Sequence, residues 1–416
     1  MSDPLPDVSS PASGAALRVV SASSLEDLLP HAAAWNALCL EAPQRMPTLS
    51  HAWASAWLAT RVEPGETWRC HFAYAGDRLV GVLPVVRRRR GLLAGYELAP
   101  PRDHHTRSGD VLLAPSHARE AFAALLNAAF SADGRPFRLA LSGVRAGSPT
   151  LEVLADRSPR GVLFRQPDER GSYVPVTGTV EEFRAKLSDN FRRNVRKAGN
   201  RLEKTPGAAY LFEGGPDAKP DGLDAFLAVE GSGWKGQAGT AIEKDPALVA
   251  FYRALAQNLS ALGWLVWNRV EVDGKAIAVH MGVRLGRALV LLKIAYDEAH
   301  ARLSPGNCLF DKLIERELAE KTVDEVNCLT DMPWHRSWEM PQADFSDLWI
   351  YPRRPGALLV GVLPQRAKAV AKKIPFLVAL AEKRKAARAA AAAPRPPPPP
   401  DSAPAPPPGA PSEDAP

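Results

Sequence analysis

Cysteine is scarce in this chain: four residues of 416, at Cys39, Cys70, Cys308 and Cys328. None stands in C-x-x-C spacing, which excludes a disulfide framework and a thiolate zinc site and suits reduced thiols in a cytoplasm. Long apolar runs are missing too, so nothing approaches the roughly 20 residues that cross a bilayer as a helix. The opening "MSDPLPDVSSPASG" has neither the basic start nor the apolar centre of a secretory signal. H-E-x-x-H, H-x-x-x-H, G-x-S-x-G and G-x-x-x-x-G-K-[ST] do not occur, which removes the usual zinc-hydrolase, nucleophile-elbow and P-loop chemistries. The expectation is a cytoplasmic protein that holds no metal.

Charge of one sign is abundant in only two places. Residues 353–388 hold ten Lys or Arg against one acidic residue, Glu382, which accounts for the net charge of +6 and leaves the preceding body close to neutral. A whole-protein nucleic-acid binder, and DNA as a partner, therefore lose their support. In 353–388 apolar clusters alternate with Lys and Arg, and Pro364 and Pro375 divide the segment into short helices. Such a segment lies readily on an anionic leaflet, so peripheral contact at the inner face of the membrane is expected. Residues 1–14 and the Pro/Ala-rich 389–416 have too little to bury and read as a disordered lead and tail.

The second basic place is "LSDNFRRNVRKAGNRLEK", residues 187–204. Phe191, Val195, Ala198 and Leu202 recur at helical spacing and form one apolar stripe, while Arg192, Arg193, Arg196, Lys197, Arg201 and Lys204 cover the remainder. Thr179 and Glu182 have capping-box spacing for an earlier helix, and Asp189 is placed to cap the basic one. A face so uniformly positive invites an anionic partner.

Between the tails one plan recurs. "TWRCHFAYAGDRLVGVLPVVRR" reads as strand, turn at Gly76-Asp77, strand; "GWLVWNRVEVDGKAIAVHMGVR" repeats it around Asp273-Gly274. A helical pattern precedes each hairpin, and a strand followed by a helix comes after each. The fold class is α+β, with mixed, mainly antiparallel sheets and two similar domains, 15–165 and 170–352.

Candidate chemistry gathers in the second half. In "KIAYDEAHARLSPGNCLFDKLIE" a strand ends at Asp297, Ser304 is placed as an N-cap, Pro305 suits the first helical position, and Gly306 leaves the backbone open. Free amides there would suit a pyrophosphate. Along "AIAVHMGV", Ile277, Val279, Met281 and Val283 face one way; Ala276, Ala278, His280 and Gly282 face the other, leaving one imidazole beside small residues. Two readings of His280 stay open: a base or donor beside a thin ligand, or a satisfied interior residue beneath a helix. "VEGSGWKGQAGTA" offers Trp234 and Lys235, and "CLTDMPWHRSWEM" offers Asp331, Trp334, His335, Arg336 and Trp338, either as substrate contacts or as loop anchors. His104 and His105 read as loop residues.

These stretches, in this order, resemble the acetyltransferase domain of CelD/BcsL-type proteins, of the GNAT superfamily and related to the Fem-type peptidyltransferases. The segments that carry the likeness are "FRRNVRKAGNRLEK", "WKGQAGTAI", "VDGKAIAVHMGV", "IAYDEAHARLSPGNCLFDKLIE" and "TDMPWHRSW", supported upstream by "PTLSHAWASAWLAT" and "GDRLVGVLPVVRRRRG". The resemblance implies two tandem GNAT-like domains and acetyl-CoA or another acyl-CoA as co-substrate, working in exopolysaccharide, cellulose or envelope synthesis. It implies Ser304, Pro305, Gly306 and Asn307 as the phosphate turn and Asp297 at the strand end before it. Trp234, Lys235, His335 and Trp338 would line the acceptor side, flanked by Arg192, Arg193 and Arg196. The superfamily's Q/RxxGxG/A loop is absent, and Trp334-His335 stands where Tyr-Lys is common. The expected activity is acyl transfer from acyl-CoA to an amine or hydroxyl of a small-molecule, sugar or envelope-precursor acceptor, with His280 as base. The alternatives are a Fem-like transferase taking aminoacyl-tRNA, or a non-catalytic adaptor of a polysaccharide-synthesis complex.

Overall fold

The computed structural model describes residues 17–90, 95–103, 106–132, 135–156, 161–233, 239 and 241–371. His104, His105, Trp234, Lys235, both expected tails and the basic segment beyond Ala371 lie outside them.

The first half opens with β1 (Arg18–Ala22), then α1 (Leu25–Leu28), α2 (Ala32–Glu41) and α3 (His51–Thr60). Next come β2 (Thr67–Ala75), β3 (Arg78–Arg89), β4 (Tyr96–Ala99) and β5 (Leu112–Leu113). It closes with α4 (Ala118–Ala132), β6 (Arg138–Arg145), α5 (Pro149–Asp156) and β7 (Gly161–Pro167). The second half begins with β8 (Gly171–Pro175), α6 (Val180–Lys186), α7 (Asp189–Glu203), β9 (Ala208–Gly214), α8 (Gly222–Ser232) and α9 (Pro246–Ala261). Its hairpin is β10 (Leu265–Val272) with β11 (Lys275–Leu285), followed by β12 (Ala288–Tyr296) and α10 (Pro305–Glu320). The last strands are β13 (Glu325–Asn327), β14 (Gln342–Ala343) and β15 (Phe345–Pro352).

Both expected hairpins form where turn chemistry demands. Asp273 and Gly274 take φ of 51° and 74°, the left-handed pair of a tight hairpin turn, and Gly76 takes 60° in the other. The capping box of Thr179 and Glu182 starts α6, as the spacing required. The basic helix starts one residue earlier than the sequence suggested: Ser188, not Asp189, accepts the Phe191 N–H at 3.3 Å. Asp189 is already helical and pairs with Arg192 instead.

The sheets are mixed and mainly antiparallel, an α+β fold in two halves. One runs β1-β2-β3-β4-β6-β15-β7 with β5 beside β3, and the other β14-β8-β13-β12-β11-β10-β9. Only β4 with β6 and β12 with β13 are parallel among the described strands. The division at 170–352 is crossed by the chain: β15 inserts between β6 and β7 of the first sheet, pairing Leu348 with Leu141 and with Arg165. Buried Leu348 and Ile350 gain two strand neighbours there, which a sequential reading of strands does not reveal.

The halves share a core. Trp53 of α3 meets Phe251 of α9 edge-on at 5.3 Å, and Asn258 Nδ2 donates to the Ala52 carbonyl at 3.0 Å. Arg61, capping α3, pairs with Asp103 at 3.1 Å and with Asp245 at the start of α9 at 3.0 Å. Residues from Leu363 belong to a separate unit, of which Leu363–Ala371 is described as helical.

Candidate active site

Strand pairing creates the site. β12 is bound to β11 along its length, but to β13 only through Ala288, Leu289 and Val290. Beyond Val290 it runs to Tyr296 while β13 stops at Asn327, so the two strands part. A register shift beside Met281 and Gly282 puts an extra residue into β12, and such a bulge bends a strand.

The chain then turns twice. Asp297 accepts the Ala299 N–H at 3.0 Å, capping the short helix Glu298–Leu303, and holds His300 Nδ1 at 3.1 Å. Ser304 adopts φ 48°, ψ 50°, and α10 begins at Pro305. The first intrahelical bond is Cys308 N–H to the Ser304 carbonyl at 3.1 Å, so the amides of Gly306 and Asn307 precede it in the unpaired first turn. Ser304 makes no side-chain cap, contrary to its expected role, because the left-handed conformation turns its hydroxyl away from the helix amides.

α10 lies over the small-residue face of β11, with Phe310, Leu313 and Ile314 packed on Val266, Leu289 and Leu291. Ile277 joins Ala278 and Cys308 beneath it rather than following Val279, because a bulge at Val270/Glu271 breaks the alternation there. Where the strands part, a cavity of about 310 Å³ remains. His280, Ile294 and Tyr296 form its sheet wall, Ser304 to Asn307 with Ala301 its helix-start wall, and Phe310 and Trp334 its apolar end.

His280 is 1% exposed, and its Nδ1 has no hydrogen-bond partner. Asn268, directly opposite on β10 and also buried, leaves Nδ2 equally unpartnered. Burial pushes the His280 pKa down to about 3, so the ring is neutral. A Cβ added to Gly306 would fit without clash, its nearest neighbour being the Tyr296 side chain at an ordinary contact distance of 3.6 Å.

The structure brings His280, Ser304, Pro305, Gly306 and Asn307 together around one cavity, with Trp334 beside them, and puts Asp297, His335, Trp338, Arg192, Arg193 and Arg196 off its lining. Asp297 is committed to its cap. Desolvation opposes its ionisation, but the Ala299 amide, His300 and Lys275 hold its carboxyl below the usual range. Trp338 is 1% exposed, locked between Phe191 and Phe310 at 5.0 and 4.9 Å, so it offers an acceptor no surface. His335 is 2% exposed and accepts the Met332 N–H at 3.0 Å; burial lowers its pKa to about 4. Both are loop anchors.

The basic helix packs by its apolar stripe, with Val195, Ala198 and Leu202 buried, and contacts α10. Arg192 and Arg196 line a groove between α7 and α10 that also holds Asp311 and Glu315, while Arg193 faces solvent. None of the three lines the cavity. Arg201 does reach its rim, donating to the Arg302 carbonyl two residues before Ser304. Tyr296 and Phe310 were not foreseen as site residues, reading simply as strand end and core, whereas Trp334, offered by its loop as a substrate contact or an anchor, does line the cavity. Trp234 and Lys235 lie outside the described residues; the run Gly231 to Gly236 spells G-x-G-x-x-G, but it follows α8 rather than a strand, the wrong context for a dinucleotide fold. Among the described residues no cluster of His, Cys, Asp or Glu is arranged to hold a metal ion.

Comparison with known proteins bears on the same region. Residues 189–336 match the family model described as an acetyltransferase (GNAT) domain. No curated protein matches the chain. Among solved structures, FemX is similar at a TM-score of 0.53 and 11% identity, over 79% of this chain and 96% of that one, a likeness of fold. A putative lysylphosphatidylglycerol synthetase domain from Agrobacterium fabrum gives 0.48 at 12% identity, over 80% and 95%. A tandem GNAT protein of the clavulanic acid pathway gives 0.40 at 14%, over 82% and 99%. The stretch that builds the cavity is thus similar to an acetyltransferase (GNAT) domain, which supports an enzyme of the acyltransferase class.

Proposed function

We propose that the protein transfers an acyl group from acyl-CoA to an amine or hydroxyl, with the cavity at the β12/β13 gap as the donor site. The carrying observation is an open Gly306 beside two unpaired first-turn amides, facing a buried and unsatisfied His280. The Gly306 and Asn307 amides are the groups to hold phosphate oxygens, at the positive end of α10. Ile294 and Tyr296 offer the unpaired strand edge for an extended arm, and Phe310 with Trp334 enclose the reacting end and exclude water. Acyl-CoA supplies an activated thioester carbonyl for the acceptor to attack. A neutral His280 accepts or donates one hydrogen bond there; with a pKa of about 3 it holds little proton at neutral pH and positions more than it stores.

Unfolding with and without acetyl-CoA tests this. Ligand at a hundredfold its dissociation constant stabilises by about 2.7 kcal/mol. Absence of any shift across an acyl-CoA panel rejects the donor assignment.

An aminoacyl-tRNA donor is the second reading, favoured by the likeness to FemX and by exposed Arg193 and Lys197 on α7. It requires salt-sensitive tRNA binding without acyl-CoA binding. For the acceptor we propose a sugar-polymer or envelope precursor, met at the membrane through basic residues 353–388. No helix among the described residues is long and apolar enough to cross a membrane. Liposome co-sedimentation unchanged by truncation after Tyr351 removes the membrane contact.

A further inference from the structure

The first half holds a second, larger cavity of about 700 Å³, a size typical of small-molecule sites, where the end of α3 meets the ends of β3 and β4. Arg61, Arg88, Arg89 and Arg102 converge on it between the aromatic walls of Trp57 and Tyr96. Two of these guanidinium groups are already neutralised: Arg61 by Asp103 and Asp245, and Arg88 by Glu66 at 2.7 Å. Arg90, also on the lining, pairs with Glu97 at 2.8 Å. Among the described residues Arg89 and Arg102 have no acidic partner, and Glu63 is the lining carboxylate left without a cation. The wall has a buried, unused donor as well. Trp57 is 1% exposed, and its Nε1 finds no acceptor among the described residues.

A buried donor and two guanidinium groups on the lining of one cavity, Arg89 exposed and Arg102 half-buried, are worth most when an acceptor pairs with them. The arrangement asks for a compact anion with several acceptor oxygens. Phosphate fits it, since planar guanidinium forks bind its oxygens in pairs.

We infer that this cavity binds a small phosphorylated ligand, its phosphate held by Arg89 and Arg102. The site stands apart from the β12/β13 cavity and does not depend on the acyl-transfer reading.

Titration of the full chain with inorganic pyrophosphate by calorimetry, at low salt, tests it, each protein, the wild-type reference included, carrying Gly306→Leu so that the β12/β13 cavity is filled. The wild type should bind, and binding should weaken as salt rises. Arg89→Gln with Arg102→Gln should weaken it at least about tenfold, the scale of lost hydrogen bonds between charged groups. Arg353→Gln, an exposed arginine outside the cavity, should leave it unchanged. Unfolding curves of the double variant matching the wild type show that loss of binding is not loss of fold. The proposal is overturned by no pyrophosphate heat in the wild type, by wild-type binding in the double variant, or by equal losses in the Arg353 variant.

Discussion

Each half of this molecule brings a strand up to a proline-led helical start, Pro305 of α10 in the second half and the short turn Pro115–His117 before α4 in the first, and the two junctions end in opposite states. In the second half β12 leaves β13 and the gap stays open; the nearest atom to a Cβ on Gly306 is a Tyr296 ring carbon at 3.6 Å. In the first half the chain before β5 closes on β6. Gly109 and Ser142 exchange backbone hydrogen bonds of 2.8 and 3.2 Å. Gly143 lies so close to that chain that a Cβ would stand 2.1 Å from the Arg107 carbonyl. Buried Asp110 fastens the closure, receiving bonds from Ser148 Oγ at 2.5 Å and Gln44 Nε2 at 3.3 Å. A helix start is therefore not enough to make a site. What matters is whether the protein uses the neighbouring backbone itself or leaves it for a ligand.

The comparison breaks most visibly at Gly143. Its φ is 61° and the added methyl meets backbone, so Gly143→Ala should cost about 3 kcal/mol or more in urea unfolding. A variant with wild-type stability would mean that the first junction is not closed as described. Next comes Gly306→Leu, which fills the mouth of the cavity. We expect acyl transfer to fall by about two orders of magnitude with little change in melting, since misplacing a bound substrate costs that much. Ser116→Leu, exposed at the matching helix start of the first half, should leave turnover intact. Equal effects at both positions would erase the distinction between the junctions.

His280→Ala should lower turnover by about ten- to hundredfold. The wild-type rate should show no limb from this imidazole between pH 5 and 8, because its pKa is near 3. A limb near pH 6.5 that disappears in the variant would contradict the buried, neutral ring. Stability in acid tests the same buried ring. Between pH 6.5 and about 3 the unfolded chain binds a proton that folded His280 refuses, so stability is lost as pH falls through that window. The slope is about 1.4 kcal/mol per pH unit, and it should be absent in His280→Gln measured by urea midpoints.

Much of this was readable because it is local. Hairpin turns at Gly76 and Asp273-Gly274 need left-handed backbone, the Thr179/Glu182 box needs three-residue spacing, and the α7 stripe needs helical periodicity. The grouping of His280 with Ser304–Asn307 was also legible, since one strand and the next helix carry them. What failed depended on pairing at a distance. Trp338 and His335 have the composition of a binding loop, yet their burial depends on Phe191, Phe310 and the Met332 amide. Ser304 has the composition of a cap, yet its left-handed conformation withholds the hydroxyl from the helix.

The sequence by itself determined the elements, their order and the chemistry available at each turn, because propensity, capping and alternation act over a few residues. Only the tertiary structure decided which of two similar junctions opens. That choice rests on where β13 stops, where β15 inserts and how closely Gly143 approaches Arg107, all contacts between residues far apart in the chain.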